Sequence, residues 1–161
     1  VYMWYLALPQ IGKALEGYGI PGIQRILTLP AVPAGILALG VCYGAYMTET
    51  IRGAIVSVDR GQTEAARTLG LSRWEAMRKV ILPQAARMMI RPLGVNINAL
   101  IKGTALVAPI SVIELTYTAQ RFIGSTYKPF EMFLVAGLLY MVIIYVVGQG
   151  IAWLDRRARI Q

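Results

Sequence analysis

Long apolar runs divide the chain, and the segments between them are rich in charge, glycine or proline. Residues 26–48 and 132–154 contain no charged side chain, and residues 92–113 contain only Lys102. A helix needs about 20 mostly apolar residues to cross a bilayer. The pattern therefore predicts three membrane-spanning helices, at about 31–51, 88–110 and 131–154.

The start of the chain carries a shorter apolar run. Residues 1–8 are apolar but too few to cross a membrane. We predict that they are the end of a spanning helix whose beginning is absent from this sequence. Residues 9–30 are rich in glycine and proline, which predicts an outer loop with short helical pieces.

The polar segment between the first two long runs predicts a helical hairpin over residues 59–82. Asp59 and Ser72 are good helix N-caps, and each has Gln or Glu three residues later, as in a capping box. Gly70 suits the left-handed conformation that ends a helix. Pro83 cannot donate a backbone hydrogen bond, so a kink or stop is predicted there.

Two details of the first long run concern packing. Gly40 and Gly44 have the GxxxG spacing, which predicts the close approach of a neighbouring helix. The single cysteine, Cys42, excludes an internal disulfide and is predicted to be a small buried hydrophobe. The chain has no histidine, and no residue set typical of catalysis or metal binding is visible.

Charge indicates which side of the membrane the polar segments face. Of 161 residues, 57% are hydrophobic and 15% are charged, with a net charge of +8. Eight of the sixteen basic residues lie between Arg52 and Arg91, and three more are Arg156, Arg157 and Arg159. Basic residues concentrate on the cytoplasmic side of membrane proteins, so this charge needs no nucleic acid to explain it.

The hairpin carries a family pattern. Glu64-Ala65-Ala66, Gly70-Leu71 and Ile81-Leu82-Pro83 resemble the cytoplasmic EAA loop of ABC-importer permease subunits, which docks on a separate ATPase. Further segments resemble polar-amino-acid permeases of the histidine/glutamine/arginine type. They are Gly44-Ala45-Tyr46, Arg52-Gly53-Ala54-Ile55, Lys102-Gly103-Thr104-Ala105-Leu106-Val107 and Tyr127-Lys128-Pro129-Phe130-Glu131.

The resemblance implies an all-α membrane protein, a type I ABC-importer-like transmembrane helical bundle that lacks its N-terminal span. Residues 1–161 would form one permease domain, with a cytoplasmic coupling loop at about 56–87. It implies ABC ATPase subunits as partners, which would bind ATP and Mg²⁺. By the same resemblance, this chain would not be an enzyme and would hold no cofactor. A second permease subunit, identical or homologous, and a solute-binding protein would complete a multi-pass importer in the bacterial inner membrane.

Polar groups at membrane depth are candidates for the substrate path. Lys102 lies about 16 Å along a helix from Arg91, and Asn98 shares its helix face. Since a charge inside the bilayer is costly, Lys102 is predicted to face the bundle or a watery path. Glu49 and Glu114 are possible charge partners or substrate contacts. Structural pairing of Lys102 with Glu114, and snorkelling of Lys102 to the surface, stay open as alternatives.

The sequence alone also allows two other interpretations of the chain's function. A secondary transporter or channel fragment shares the spans and Lys102 but gives the capped hairpin no purpose. A membrane scaffold would use its basic loop to recruit an acidic partner. For the hairpin alone, the alternative to docking is an amphipathic element at the lipid surface with its arginines in the headgroups.

Overall fold

The computed structural model describes residues 2–159; Val1, the first residue of the predicted partial span, lies outside them. Within that range the chain is helical and contains no β-strand. The α-helices are α1 (Tyr2–Gly17), α2 (Ile23–Leu27), α3 (Ala31–Val56), α4 (Arg60–Thr68), α5 (Arg73–Ala76), α6 (Leu82–Gly103), α7 (Leu115–Thr126) and α8 (Pro129–Arg159). A π-helix, Met77–Ile81, precedes α6, and a 3₁₀-helix, Thr104–Ile110, follows it.

Three helical segments are long and apolar enough to cross a membrane: Ala31–Val56, Arg73–Ile110 and Pro129–Ala158. Each contains one of the three predicted spans and extends beyond it. The 38 residues of the second segment measure about 57 Å at 1.5 Å per residue. A hydrocarbon core of about 30 Å accommodates only part of this length, so the segment also extends outside the core.

The beginning of the chain differs from the prediction. The helix expected to end near residue 8 continues through Pro9 and ends at Gly17. A proline removes one backbone hydrogen bond from a helix, but the residues after Pro9 include Lys13, Ala14 and Leu15, which favour helix. The short helix α2 does lie in the segment predicted to hold helical pieces.

The first of two compact units contains residues up to 43 and residues 100–142. Its helices approach closely at glycines. A Cβ on Gly12 would lie 2.7 Å from the Cα of Gln24 in α2, and one on Gly35 would lie 3.1 Å from Val107. The Glu16 carboxylate also accepts hydrogen bonds from the backbone N–H groups of Gly22 and Gln24.

The second compact unit contains residues 44–99 and 143–161. Its buried apolar residues are mostly alanines, namely Ala54, Ala66, Ala76 and Ala85, together with Ile81. A Cβ on Gly94 of α6 would lie 2.6 Å from Ile151 of α8, and Arg91 contacts Asp155. The earlier residue of α6, Arg91, contacts the later residue of α8, Asp155, and Gly94 lies next to Ile151. The two helices therefore run antiparallel here.

Two packing predictions for α3 are wrong within the described chain. A Cβ on Gly40 or Gly44 would have no described atom within 4 Å, so no helix of this chain fills the GxxxG surface. Cys42 is exposed rather than buried. The physical reason is the same in both cases: lipid tails are as apolar as a protein core, so an apolar pattern on a spanning helix does not specify burial within the chain.

Candidate functional site: the capped hairpin and the polar groups of the spans

The first helix of the hairpin is capped by Asp59 and terminated by a left-handed Gly70, as its sequence predicts, but the predicted capping box with Gln62 does not form. The Asp59 side chain caps α4 by accepting a 2.6 Å hydrogen bond from the backbone N–H of Gly61. The predicted partner in a capping box, Gln62, instead accepts a 3.4 Å hydrogen bond from the side-chain amide of Gln84. That contact joins the hairpin to the start of α6.

The turn after α4 depends on Gly70, whose φ is +80°. The N–H of Gly70 donates to the carbonyl of Arg67, and the N–H of Leu71 donates to the carbonyl of Ala66. These two bonds form the Schellman arrangement that ends many helices. A side chain with a Cβ is strained at this φ, so the backbone at this turn favours glycine.

The second helix of the hairpin has the predicted capping box. The Ser72 hydroxyl accepts a 3.3 Å hydrogen bond from the N–H of Glu75, and the Glu75 carboxylate accepts a 3.1 Å hydrogen bond from the N–H of Ser72. Lys79 adds a 3.0 Å ion pair to the same carboxylate. The direction in which the chain leaves the turn is therefore fixed by backbone hydrogen bonds before it and by the Ser72–Glu75 capping box after it.

Of the two outcomes predicted at Pro83, a kink or a stop, the stop is wrong, because the helix continues. Met77–Ile81 forms a wider π-helical turn immediately before α6 begins at Leu82. Pro83, the second residue of α6, has no N–H to donate, and the π-helical turn lies directly before it, where the N–H of Leu82 donates to the carbonyl of Met77. The hairpin is consequently joined to the span by continuous helix.

The residues of the predicted coupling loop divide into surface and core. Ala66 and Ile81 are buried, and Leu71 is half-buried. Glu64, Ala65, Gly70, Leu82 and Pro83 are exposed. Two large apolar side chains are also exposed, Leu69 at 82% and Trp74 at 70%. We call the exposed set Glu64, Ala65, Leu69, Gly70 and Trp74 the hairpin surface.

The hairpin surface combines apolar area with one charge. No described residue forms an ion pair with Glu64; of the hairpin's acidic residues, Glu75 is paired with Lys79. Exposed tryptophan is among the residues that contribute most to protein interfaces, and alanine at position 65 leaves room for another backbone. The surface is thus suited to bind a protein, and it is held rigidly by the two caps.

The structure separates the candidate path residues. Asn96, two residues before the candidate Asn98 on α6, donates a 2.7 Å hydrogen bond to Thr50 and so has a structural partner. Asn98 is half-buried, and its Oδ1 atom is buried without a hydrogen-bond partner among the described residues. Lys102 is exposed near the end of α6. An unpaired buried amide oxygen is costly, so Asn98 is the polar group in this helix that most needs a water or ligand.

Glu49 and Glu114 already have partners in this chain. Glu49 forms an exposed ion pair with Arg52 at 2.7 Å. Glu114 is the N-cap of α7 and accepts hydrogen bonds from the backbone N–H groups of Thr116 and Tyr117, at 2.9 and 2.6 Å. The expected alternative of an ion pair between Lys102 and Glu114 is absent from the described structure, because the Glu114 carboxylate is directed to α7 instead.

Two contacts were not predicted from the sequence. The Tyr140 hydroxyl donates to Glu114 at 3.0 Å and lies 3.5 and 3.4 Å from the hydroxyls of Thr104 and Thr116. Asp155, which directly follows the last apolar run, is 4% exposed and pairs with Arg91 at 2.7 Å. The sequence feature that could have indicated the Arg91–Asp155 contact is the single acidic residue directly after the apolar run 132–154.

These observations define a class of protein. Three helices have the length and apolar character to cross a membrane, and in the last of them only 6% of the most apolar window is buried. Such extensive exposed apolar surface requires a lipid environment or partner chains. The chain is therefore a helical membrane protein that carries a capped polar hairpin between two of its spanning helices.

Comparison with known proteins identifies the family. The family model described as "Binding-protein-dependent transport system inner membrane component" matches residues 2–160, and the chain belongs to this family. A solved structure titled "Crystal structure of an amino acid ABC transporter with histidines" is 33% identical, with a TM-score of 0.83. The match covers 97% of this chain and 66% of that chain, which confirms the all-α ABC-importer fold.

Curated relatives agree with this assignment. The chain is 33% identical to the octopine transport system permease protein OccQ of Rhizobium meliloti, over 98% of this chain and 66% of that protein. It is 36% identical to the glutamine transport system permease protein GlnP of Escherichia coli (strain K12), over 89% and 65%. The nopaline transport system permease protein NocM of Agrobacterium fabrum is 40% identical, over 77% and 53%. The chain thus spans 53–66% of the length of these relatives.

Proposed function

We propose that this chain is the membrane-spanning permease subunit of an ATP-driven importer for polar amino acids. The observation that carries the proposal is the hairpin surface, which is exposed, belongs to two capped helices and lies in sequence between two helices of spanning length. Relatives named for the transport of octopine, nopaline and glutamine support the substrate class. The family's description as an inner membrane component supports multi-pass placement in the bacterial inner membrane.

The energy for transport would come from partner chains. The sequence contains no GxxxxGK[ST] phosphate loop, so ABC ATPase subunits docked on the hairpin surface would bind ATP and Mg²⁺. A second permease subunit, identical or homologous, would complete the path, and the open GxxxG surface of α3 is available to it. A solute-binding protein on the outer side would deliver the amino acid.

The mechanism we propose is alternating access. Closure of the ATPase subunits would pull on the hairpin, and the continuous helix from α5 through the π-turn to α6 would carry that displacement into the span. Rigid elements that move as bodies are the usual basis of such transitions. The path proposal rests on Asn98 and Lys102, since the carboxylates of Glu49 and Glu114 already have partners in this chain.

Co-purification of the ATPase tests the proposal. The native-length protein would be solubilised from its own membranes and purified by a tag, and co-purifying chains would be identified for wild type and Glu64→Arg. The wild type is expected to retain a stoichiometric ABC ATPase, and Glu64→Arg to lose or weaken it because the charge on the docking surface is reversed. The control Glu131→Arg makes the same charge change on an exposed residue at the start of α8 and should retain the ATPase.

The outcomes separate the candidate functions. An ATPase that stays bound in Glu64→Arg keeps the importer and removes Glu64 from the docking contact. A stable wild-type preparation without any ATPase contradicts the proposal. In that case a secondary transporter is the first alternative, and a scaffold that recruits an acidic partner in a salt-sensitive manner is the second.

A further inference from the structure

A groove of about 430 Å³ lies between the antiparallel parts of α6 and α8. The Arg91–Asp155 pair and Arg156 lie at one end of it, at the end of the long apolar run of α8. Gly94, Val95, Gly148, Ile151 and Ala152 line the rest, and Asn98 lies about 10 Å along α6 from Arg91. The groove is thus basic at one end and largely apolar along its length.

The geometry of the Arg91–Asp155 pair leaves donors available at the basic end. Arg91 contacts the Asp155 carboxylate through Nε at 2.7 Å, and its side chain is 67% exposed. No described residue engages the two terminal nitrogens of that guanidinium. Arg156 is exposed beside it and forms no ion pair among the described residues. With one acid and two arginines, the lining carries a net charge of +1.

A second observation places this end at the membrane surface. Arg157 stacks over the Trp153 ring, 4.9 Å from its centroid, and Arg157 also lines a neighbouring groove with Ile90, Leu154 and Ala158. Tryptophan is enriched at the level of lipid headgroups, and long basic side chains extend toward the same level. The apolar part of the groove therefore faces the depth of acyl chains.

We propose that this groove binds an anionic phospholipid, with its phosphate at Arg91 and Arg156 and an acyl chain along Gly94, Gly148 and Ile151. The proposal rests on the membrane placement given under Proposed function. Charge complementarity selects the anionic headgroup, since basic pockets between spanning helices on the cytoplasmic side suit such lipids. The apolar length of the groove selects a lipid over a free phosphate.

The chain offers two variants that test the two halves of the site separately. Arg156→Gln removes a phosphate partner without leaving Asp155 unpaired. Gly148→Leu fills the groove, because a Cβ at Gly148 has open space around it. The matched controls are Arg78→Gln, an exposed arginine of the π-helix, and Gly150→Leu, an exposed glycine of α8 that also has open space.

The measurement is native mass spectrometry of the purified native-length complex, titrated with dioleoyl phosphatidylglycerol or dioleoyl phosphatidylcholine. We expect phosphatidylglycerol to bind more tightly than phosphatidylcholine. Arg156→Gln should weaken phosphatidylglycerol binding about fivefold, the effect of one basic residue near the surface. Gly148→Leu should weaken the binding of phosphatidylglycerol, and both controls should bind it as the wild type does.

Three results would overturn the lipid assignment. One is equal binding of the two lipids by the wild type, and another is unchanged phosphatidylglycerol binding in both groove variants. The third is full competition by glycerol 3-phosphate at concentrations equal to the lipid, which would show that the apolar length contributes nothing. Retention of the ATPase in the same preparations is scored separately, so failure of the lipid site is distinguishable from failure of the importer proposal.

Discussion

Tyr140 shows how one residue can join several segments in the apolar part of a membrane protein. Its hydroxyl donates to Glu114, the cap of α7, and lies near Thr104 and Thr116. Glu114 in turn accepts from two backbone N–H groups of α7. Thus α8 and α7 meet at the Glu114 carboxylate, and the 3₁₀-helix Thr104–Ile110 approaches them at the Tyr140 hydroxyl.

Replacement of Tyr140 by Phe is expected to lower stability by about 1 kcal/mol, the net value of a hydrogen bond whose loss leaves a partner less satisfied. Thermal unfolding of the detergent-solubilised protein, followed by intrinsic fluorescence, measures the change. Tyr145→Phe is the matched control, because Tyr145 lies on the same helix and is largely exposed. An equal effect of the two substitutions would show that the Tyr140–Glu114 contact contributes nothing.

Among the helical elements, the hairpin is formed by caps and a turn whose residue types can be recognised in the sequence. The cap at Asp59, the left-handed Gly70 and the Ser72–Glu75 capping box all formed as predicted. Each depends on residues within about five positions of one another, which is why sequence reasoning reached them. The π-turn before Pro83 was missed, since it depends on how the hairpin meets α6.

Gly70→Ala is expected to loosen the hairpin, because a Cβ at φ +80° costs roughly 1–2 kcal/mol. Hydrogen–deuterium exchange of residues 59–76 in the native-length protein measures the effect, which should be faster exchange in that segment. Gly53→Ala is the control: Gly53 lies inside α3 in open space, where alanine favours helix. Unchanged exchange in Gly70→Ala would contradict the preference for glycine at the turn.

The partners of buried polar groups were beyond the reach of sequence reasoning. Arg91 and Asp155 are 64 positions apart, as Tyr140 and Glu114 are 26 apart, and periodicity does not indicate which distant helices meet. Which side chains of the spanning helices are buried could not be predicted from the sequence either. Apolar side chains on a spanning helix satisfy lipid, a partner chain or the same chain alike, which explains why Cys42 was misassigned.

At the scale of the whole molecule, the apolar runs predicted three helices of spanning length, and the structure contains them. Long runs are a strong signal because the bilayer thickness sets their length. The family pattern around Glu64 supplied what the runs alone do not, namely a reason for a rigid polar hairpin between two spans. The match over residues 2–160 confirms the family, and the docking role of the hairpin stays a prediction.

Uptake of a polar amino acid into proteoliposomes would show most directly whether the chain works in an ATP-driven importer. They would contain the native-length permease, the ATPase that co-purifies with it and the solute-binding protein, and labelled glutamine is the first substrate to try. If the chain belongs to an ATP-driven importer, uptake should require ATP and should persist when ionophores collapse all ion gradients. For a panel of polar amino acids, uptake that proceeds without ATP and stops with the ionophores would contradict an ATP-driven importer.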